Sequence, residues 1–120
     1  MTAIRDLRVL VVEDDFYIAI DVERTLQNAG AVVVGPYGRV EDALAAIARE
    51  PIDCALVDVN LGDGPNFEVA QALRERGVSA VFTTGYGGEI FPEEFQGHTR
   101  LEKPVHPLQM VAAVAQACGQ

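Results

Sequence analysis

The chain has 120 residues, of which 49% are hydrophobic and 22% charged. This composition predicts one globular domain over residues 1–120 rather than a disordered segment. The net charge is −9, and the 9 basic residues are not clustered, which argues against nucleic acid as a partner. No apolar run approaches the roughly 18 residues of a membrane span, and the N-terminus lacks a signal-peptide pattern. We therefore expect a cytoplasmic protein with no membrane partner.

The first half of the chain alternates apolar runs with amphipathic stretches. Leu7–Val12 is rich in β-branched residues and predicts a buried strand. Phe16–Ala29 carries apolar residues at four-residue spacing and predicts a helix, with Gly30 as its C-terminal cap. Ala31–Val34 predicts a second strand, followed by a loop that contains the Gly-Pro pair. Val40–Arg49 then predicts a second helix.

The second half continues the same alternation. Cys54–Val59 predicts a third strand, and Asn66 is expected to cap a third helix. Ala80–Thr83 predicts a fourth strand and Thr99–Glu102 a weak fifth one. Pro107 is at a favoured first position for the last helix. Strict alternation with short connections predicts an α/β fold whose parallel sheet has helices on both faces.

The segment Gly85–His98 is the least regular part of the sequence. It begins with three glycines in four residues and is interrupted by Pro92, so we expect it to be loosely ordered. A partner surface that includes Tyr86 or Phe91 is one hypothesis for it, and a flexible loop without output is the other.

The two cysteines are predicted to be reduced thiols. Cys54 and Cys118 have apolar neighbours, and the expected compartment is reducing. A disulfide between them is possible, but no spacing pattern supports it.

Polar residues follow four of the predicted strands, where ligands bind in sheets of this kind. Glu13 and Asp14 follow the first strand, Asp58 lies near the end of the third, Thr84 follows the fourth, and Lys103 follows the fifth. Aspartate is a known nucleophile that forms an aspartyl phosphate, and clustered carboxylates suit Mg²⁺. An ammonium group would balance the phosphoryl charge. These residues predict phosphoryl transfer to a carboxylate.

Some of these residues have simpler explanations. Asp15 is expected to cap the first helix rather than to bind metal, and Thr83 to be an ordinary strand residue. Lys103 is the only lysine beside eight arginines, which indicates either a need for a compact ammonium or chance. Asp58 is harder to explain structurally, because an unpaired carboxylate in a buried strand is costly.

Four sequence strings in register resemble a known family. VLVVEDD, LVDVNL, FTTGYGG and LEKP are similar to the response regulator receiver domains (CheY-like) of two-component signalling. The resemblance implies a single doubly wound (βα)5 flavodoxin-like domain. Its five-stranded parallel sheet would have the strand order 2-1-3-4-5.

The resemblance also implies roles for individual residues. Asp58 would be the phosphoacceptor, assisted by Thr84 and Lys103. The residues that would bind Mg²⁺ are Glu13, Asp14, Asp58 and, through its backbone carbonyl, Asn60. The Lys103–Pro104 bond is expected to be cis. Arg100 replaces the aromatic residue usual three positions before the lysine, which places the usual aromatic rearrangement in doubt.

The implied function is that of a single-domain response regulator. It would accept a phosphoryl group from a histidine kinase or histidine phosphotransfer protein and signal by contact with a downstream protein. It would catalyse only its own phosphorylation and dephosphorylation. The string FTTGYG also resembles the FATGUY subgroup, whose members are often stand-alone receivers.

Alternatives to this function remain open. The protein would otherwise be a phosphate sink or shuttle, or a degenerate receiver that only binds a partner. A small phosphatase with an aspartate nucleophile is disfavoured, because Asn60 stands where such enzymes need a second acid.

Overall fold

A computed structural model describes residues 4–61, 65–85 and 91–118. These residues form one five-stranded parallel sheet of order β2-β1-β3-β4-β5. The strands are β1 (Arg8–Val12), β2 (Val32–Tyr37), β3 (Cys54–Asp58), β4 (Ser79–Thr84) and β5 (Arg100–Glu102). The predicted doubly wound fold and its strand order are confirmed.

Helices cover both faces of the sheet. They are α1 (Phe16–Asn28), α2 (Val40–Arg49), α3 (Glu68–Glu75) and α4 (Pro107–Cys118), and a 3₁₀ helix spans Glu93–Phe95. Helices α1 and α4 pack on one face, and α2 and α3 on the other. None of the helices in the described ranges is long and apolar enough to cross a membrane.

Side-chain alternation explains why continuous apolar runs form the central strands. In β1, Leu10 and Val12 belong to the core beneath α2 and α3. Val9 and Val11 belong to the core beneath α1 and α4. Because successive side chains point to opposite faces, a strand that is covered on both sides is apolar at nearly every position.

Strand β2 is longer than the sequence predicted. The strand was expected to end at Val34, with Gly35 and Pro36 in a loop, but it continues to Tyr37 through a cis Gly35–Pro36 bond. Gly35 has a φ of +107°, and the pairing register with β1 shifts at this point. Gly35 thus adopts a left-handed backbone conformation, which glycine tolerates best. The strand is irregular at this residue, and its pairing with β1 then resumes.

The predicted N-terminal cap of α1 is confirmed. The Asp15 carboxylate accepts hydrogen bonds from the backbone N–H groups of Tyr17 and Ile18, both at 3.0 Å. The prediction for α3 was one residue off, because Phe67 rather than Asn66 is the capping position. The Asn66 side chain nevertheless accepts a hydrogen bond from the Glu68 N–H at 2.9 Å.

Residues 91–98, which were expected to be loosely ordered, contribute two aromatic side chains to the core, and the degree of order of this segment stays a prediction. Phe91 and Phe95 are only 3% and 1% exposed and pack against Phe67 and Phe82. The guanidinium of Arg100 lies 4.5 Å from the centre of the Phe91 ring. Phe91 is therefore a core residue in this structure, and its exposure on phosphorylation stays a prediction. Tyr86, the other residue of that hypothesis, lies outside the described residues.

The prediction of two reduced cysteines is also wrong for this structure. Cys54, the first residue of β3, forms a disulfide with Cys118 in the last turn of α4, and their Cα atoms are 5.4 Å apart. The two residues are 64 positions apart in the sequence. Packing of α4 on the sheet brings them together, and no local sequence pattern encodes that contact.

Candidate functional site

Because the strands are parallel, their carboxyl ends, and the polar residues there, lie along the same side of the sheet. Val12 of β1 is followed by Glu13, and the neighbouring strand β3 ends at Asp58. Asp58 in turn pairs with Thr83 of β4. Lys103 directly follows β5, at the same edge. The structure thus brings the predicted site residues of four strands together.

Lys103 contacts two buried carboxylates at once. Its Nζ lies 2.8 Å from Asp58 Oδ2 and 3.0 Å from Glu13 Oε1. The Asp58 and Glu13 side chains are 2% and 4% exposed. Buried carboxylates are tolerated only when they are paired and hydrogen-bonded, so the ammonium group of Lys103 stabilises the cluster.

Backbone N–H groups bind the remaining oxygen of each carboxylate. The N–H of Asp15 donates to Glu13 Oε2 at 3.0 Å, and the N–H of Asn60 donates to Asp58 Oδ1 at 2.9 Å. Each buried acid is therefore held by one backbone group and one cation. The N–H of Asn60 makes this contact, and a role for its carbonyl in metal binding stays a prediction.

Burial and neighbouring charges shift the pKa values of Glu13 and Lys103. Burial raises the pKa of Glu13 to about 7, although hydrogen bonds from the Asp15 N–H and Lys103 oppose the shift. Burial alone would lower the pKa of Lys103, but its hydrogen bonds and charge interactions with Asp58 and Glu13 raise that pKa above its usual value. Lys103 is consequently an ammonium at neutral pH.

The acidic residues fit a divalent metal ion. Glu13, Asp14 and Asp58 each offer a carboxylate oxygen, and these three atoms lie within 4.8 Å of one another. Asp14 is exposed while the other two are buried. Mg²⁺ prefers hard oxygen ligands and keeps several waters, so a few carboxylates with one side open to solvent suit it.

Both predicted threonines lie at the end of β4 and are buried. The Thr84 carbonyl accepts a hydrogen bond from the Lys103 N–H at 2.8 Å, which fixes the backbone of the lysine. The Thr83 carbonyl accepts a hydrogen bond from the Val59 N–H at 3.4 Å. The expected cis bond between Lys103 and Pro104 is present. The role of the Thr84 hydroxyl stays a prediction.

Sequence reasoning missed the contact between Glu13 and Lys103. It assigned Glu13 to the metal alone, whereas the structure also places this carboxylate against the ammonium group. The sequence did contain one signal for this pairing: the only lysine follows a strand whose end lies on the same side of the sheet as the acidic residues. The pairing itself depends on the order of the strands and on the path of the chain after β5.

Comparison with known proteins agrees with this architecture. Residues 9–115 match the model of the response regulator receiver domain. The chain belongs to the response regulator receiver family.

Receivers of this family are components of two-component signalling, and they are generally not enzymes that turn over a separate substrate. The regulatory protein VanRc of Enterococcus gallinarum is 32% identical over 111 residues, which cover 89% of this chain and 48% of that protein. VanR of Enterococcus faecium is 28% identical over 113 residues, which cover 89% of this chain and 48% of that protein. This receiver thus spans about half the length of the curated relatives that it matches.

Solved structures extend the comparison. The solution structure of SdrG from Sphingomonas melonis Fr1 is 33% identical, with a TM-score of 0.81 and coverage of 100% of both chains. A response regulator receiver protein from Sinorhizobium medicae WSM419 has a TM-score of 0.81 at 24% identity, covering 95% of each chain, and shows the shared fold.

Proposed function

We propose that this receiver is a phosphorylation switch in a two-component phosphorelay, with Asp58 as the phosphoacceptor. A histidine kinase or a histidine phosphotransfer protein would supply the phosphoryl group. The observation that carries the proposal is the pairing of Asp58 with Lys103 at 2.8 Å, beside two further carboxylates at the carboxyl edge of the sheet. Membership of the receiver family supports the same role.

The reaction forms one bond and breaks one. A carboxylate oxygen of Asp58 attacks the phosphorus of a phosphohistidine, the P–N bond breaks, and the imidazole leaves with the electron pair and takes up a proton. Lys103 moves from the carboxylate to a phosphoryl oxygen, whose charge it balances. The hydroxyl of Thr84 donates a hydrogen bond to another phosphoryl oxygen.

Mg²⁺, held by Glu13, Asp14, Asp58 and the carbonyl of Asn60, would neutralise charge on the transferring group. The chain's own residues contribute the arrangement around the nucleophile. Backbone N–H groups orient the buried Asp58 and Glu13 carboxylates, and Lys103 supplies a cation beside them. Groups held in place before the reaction cost no reorganisation when charge develops.

The output is proposed to be contact with a downstream protein, by a single receiver domain over residues 1–120 in the cytoplasm. The string FTTGYG supports a receiver of the FATGUY type. A shuttle or phosphate sink without direct output would use the same chemistry. A small phosphatase is disfavoured, because the amide of Asn60 does not donate a proton to a leaving group effectively.

The test is phosphorylation with acetyl phosphate and Mg²⁺. We expect an acid-stable, base-labile adduct with the mass of one phosphoryl group, and we expect Asp58→Asn to abolish it. Asp42→Asn, at an exposed aspartate of α2, is the matched control and should label normally. If Asp58→Asn labels as well as the wild type, the assignment of the phosphoacceptor is wrong. Continuous release of phosphate from many substrates without a lasting adduct would favour the phosphatase.

A further inference from the structure

A covalent link lies at the opposite end of β3 from the acidic site. Cys54 begins the strand and Asp58 ends it, and Cys54 is joined to Cys118 of α4. Their Cα separation of 5.4 Å is within the range that a disulfide requires. Two cysteines at this separation can be joined without moving the backbone.

We propose that Cys54 and Cys118 form a reversible thiol–disulfide site that responds to the redox state of the compartment. In the cytoplasm, which is where the proposed function places this protein, disulfides are usually transient or redox-sensing. The oxidant is a low-molecular-weight disulfide such as oxidised glutathione, or a dithiol–disulfide oxidoreductase. The site lies apart from the groups that would take the phosphoryl group.

The two sulfur atoms differ in access. Cys54 is 1% exposed and packs in the core beneath α1 and α4. Cys118 is half-buried in the last turn of α4, where helices open most readily. Exchange depends on access of the reagent to the thiolate. Cys118 is therefore the residue that meets the oxidant, and Cys54 is the residue that completes the link.

Thiol–disulfide exchange forms the bond between Cys54 and Cys118 in two steps. The Cys118 thiolate attacks one sulfur of the external disulfide, which forms a mixed disulfide and releases one thiolate. The Cys54 thiolate then attacks the Cys118 sulfur, which closes the internal bond and releases the second thiolate. The protein loses two electrons and two protons, and the external disulfide becomes two thiols. Excess thiol reverses both steps.

The link restrains α4 against the central strand. It closes a loop over a sequence separation of 64 residues, so it removes many conformations of the unfolded chain. It also ties the last turn of α4 to β3, in the middle of the sheet. For a loop of this length in a domain of this size, we expect oxidation to raise the Tm by on the order of 10 °C.

The experiment equilibrates the purified chain in a series of ratios of reduced to oxidised glutathione. Free thiols are then alkylated, mass spectrometry counts them, and the Tm is measured at each ratio. We expect conversion of two free thiols to none within the series, with the Tm rising in parallel, and full reversal by excess reduced glutathione. Cys118→Ala should show no change of Tm across the series.

Three results would overturn the proposal. One is that both thiols stay alkylatable at the oxidised end, and another is that the link persists at the most reducing end. The third is that oxidation joins two chains instead, as seen on a non-reducing gel. Asp58→Asn separates this proposal from the proposed function, since it should keep the redox response whether or not Asp58 is the phosphoacceptor.

Discussion

Replacing Lys103 with methionine tests whether this ammonium stabilises the fold as well as the site. The substitution keeps the length of the side chain but removes the cation that Asp58 and Glu13 contact at 2.8 and 3.0 Å. Two buried carboxylates would then face each other, with one oxygen of each within 4.8 Å of the other. We expect Lys103→Met to destabilise the metal-free protein.

The expected magnitude follows from the contact distances. At an effective dielectric constant of about 20, each contact represents roughly 6 kcal/mol of attraction before desolvation. Desolvation offsets much of this, and removing one partner of a buried ion pair typically costs about 3–5 kcal/mol. Because burial raises the pKa of Glu13 to about 7, this carboxyl is partly neutral at neutral pH, and the loss is reduced. We expect a loss of about 3 kcal/mol.

The assay is urea unfolding at neutral pH, with a chelator to remove metal and excess thiol to hold the cysteines reduced. The double variant Asp58→Asn/Lys103→Met should recover at least about 1 kcal/mol relative to Lys103→Met, because it neutralises one of the two facing carboxylates. Arg39→Met is the matched control. It removes a cation from an exposed ion pair with Glu41 and should leave the unfolding midpoint unchanged.

Either of two outcomes would refute this reasoning. If Lys103→Met unfolds at the wild-type midpoint, the ammonium does not stabilise the buried acids. If the double variant is no more stable than Lys103→Met, carboxylate repulsion is not the cause of the loss.

Three other substitutions have expected outcomes. Asp14→Asn should weaken Mg²⁺ binding in a calorimetric titration, because it removes one of three clustered carboxylates; an unchanged affinity would exclude Asp14 from the metal site. Lys103→Arg should slow labelling by acetyl phosphate, because a planar guanidinium does not replace a compact ammonium in a crowded site. A wild-type labelling rate would contradict this. Leu73→Ala, in the core beneath α2 and α3, should cost about 2–5 kcal/mol in urea unfolding. A loss below about 1 kcal/mol would indicate that the core closes around the cavity.

The sequence predicted the elements whose signals are local. Largely apolar runs such as Cys54–Val59 identified the central strands, because a strand covered on both faces needs apolar residues at most positions. Asp15 was identified as a cap because capping involves only the next three residues. The position of Asp58 at a strand end followed from the same pattern.

The sequence did not predict contacts that depend on tertiary packing. The disulfide between Cys54 and Cys118 and the contact between Glu13 and Lys103 join distant parts of the chain. Phe91 was expected in a loose segment, because glycines and Pro92 disfavour a helix there. Local propensity gave no information about the aromatic cluster that buries this side chain.

The irregular end of β2 has a consequence for association between chains. Strand β2 is one edge of the sheet, and its Pro36 has no N–H to offer to an added strand. The register shift beside it bends the edge further. The opposite edge, β5, has only three residues and begins with the charged Arg100. Both edges are thus poor templates for strand addition, which protects the protein from edge-to-edge aggregation.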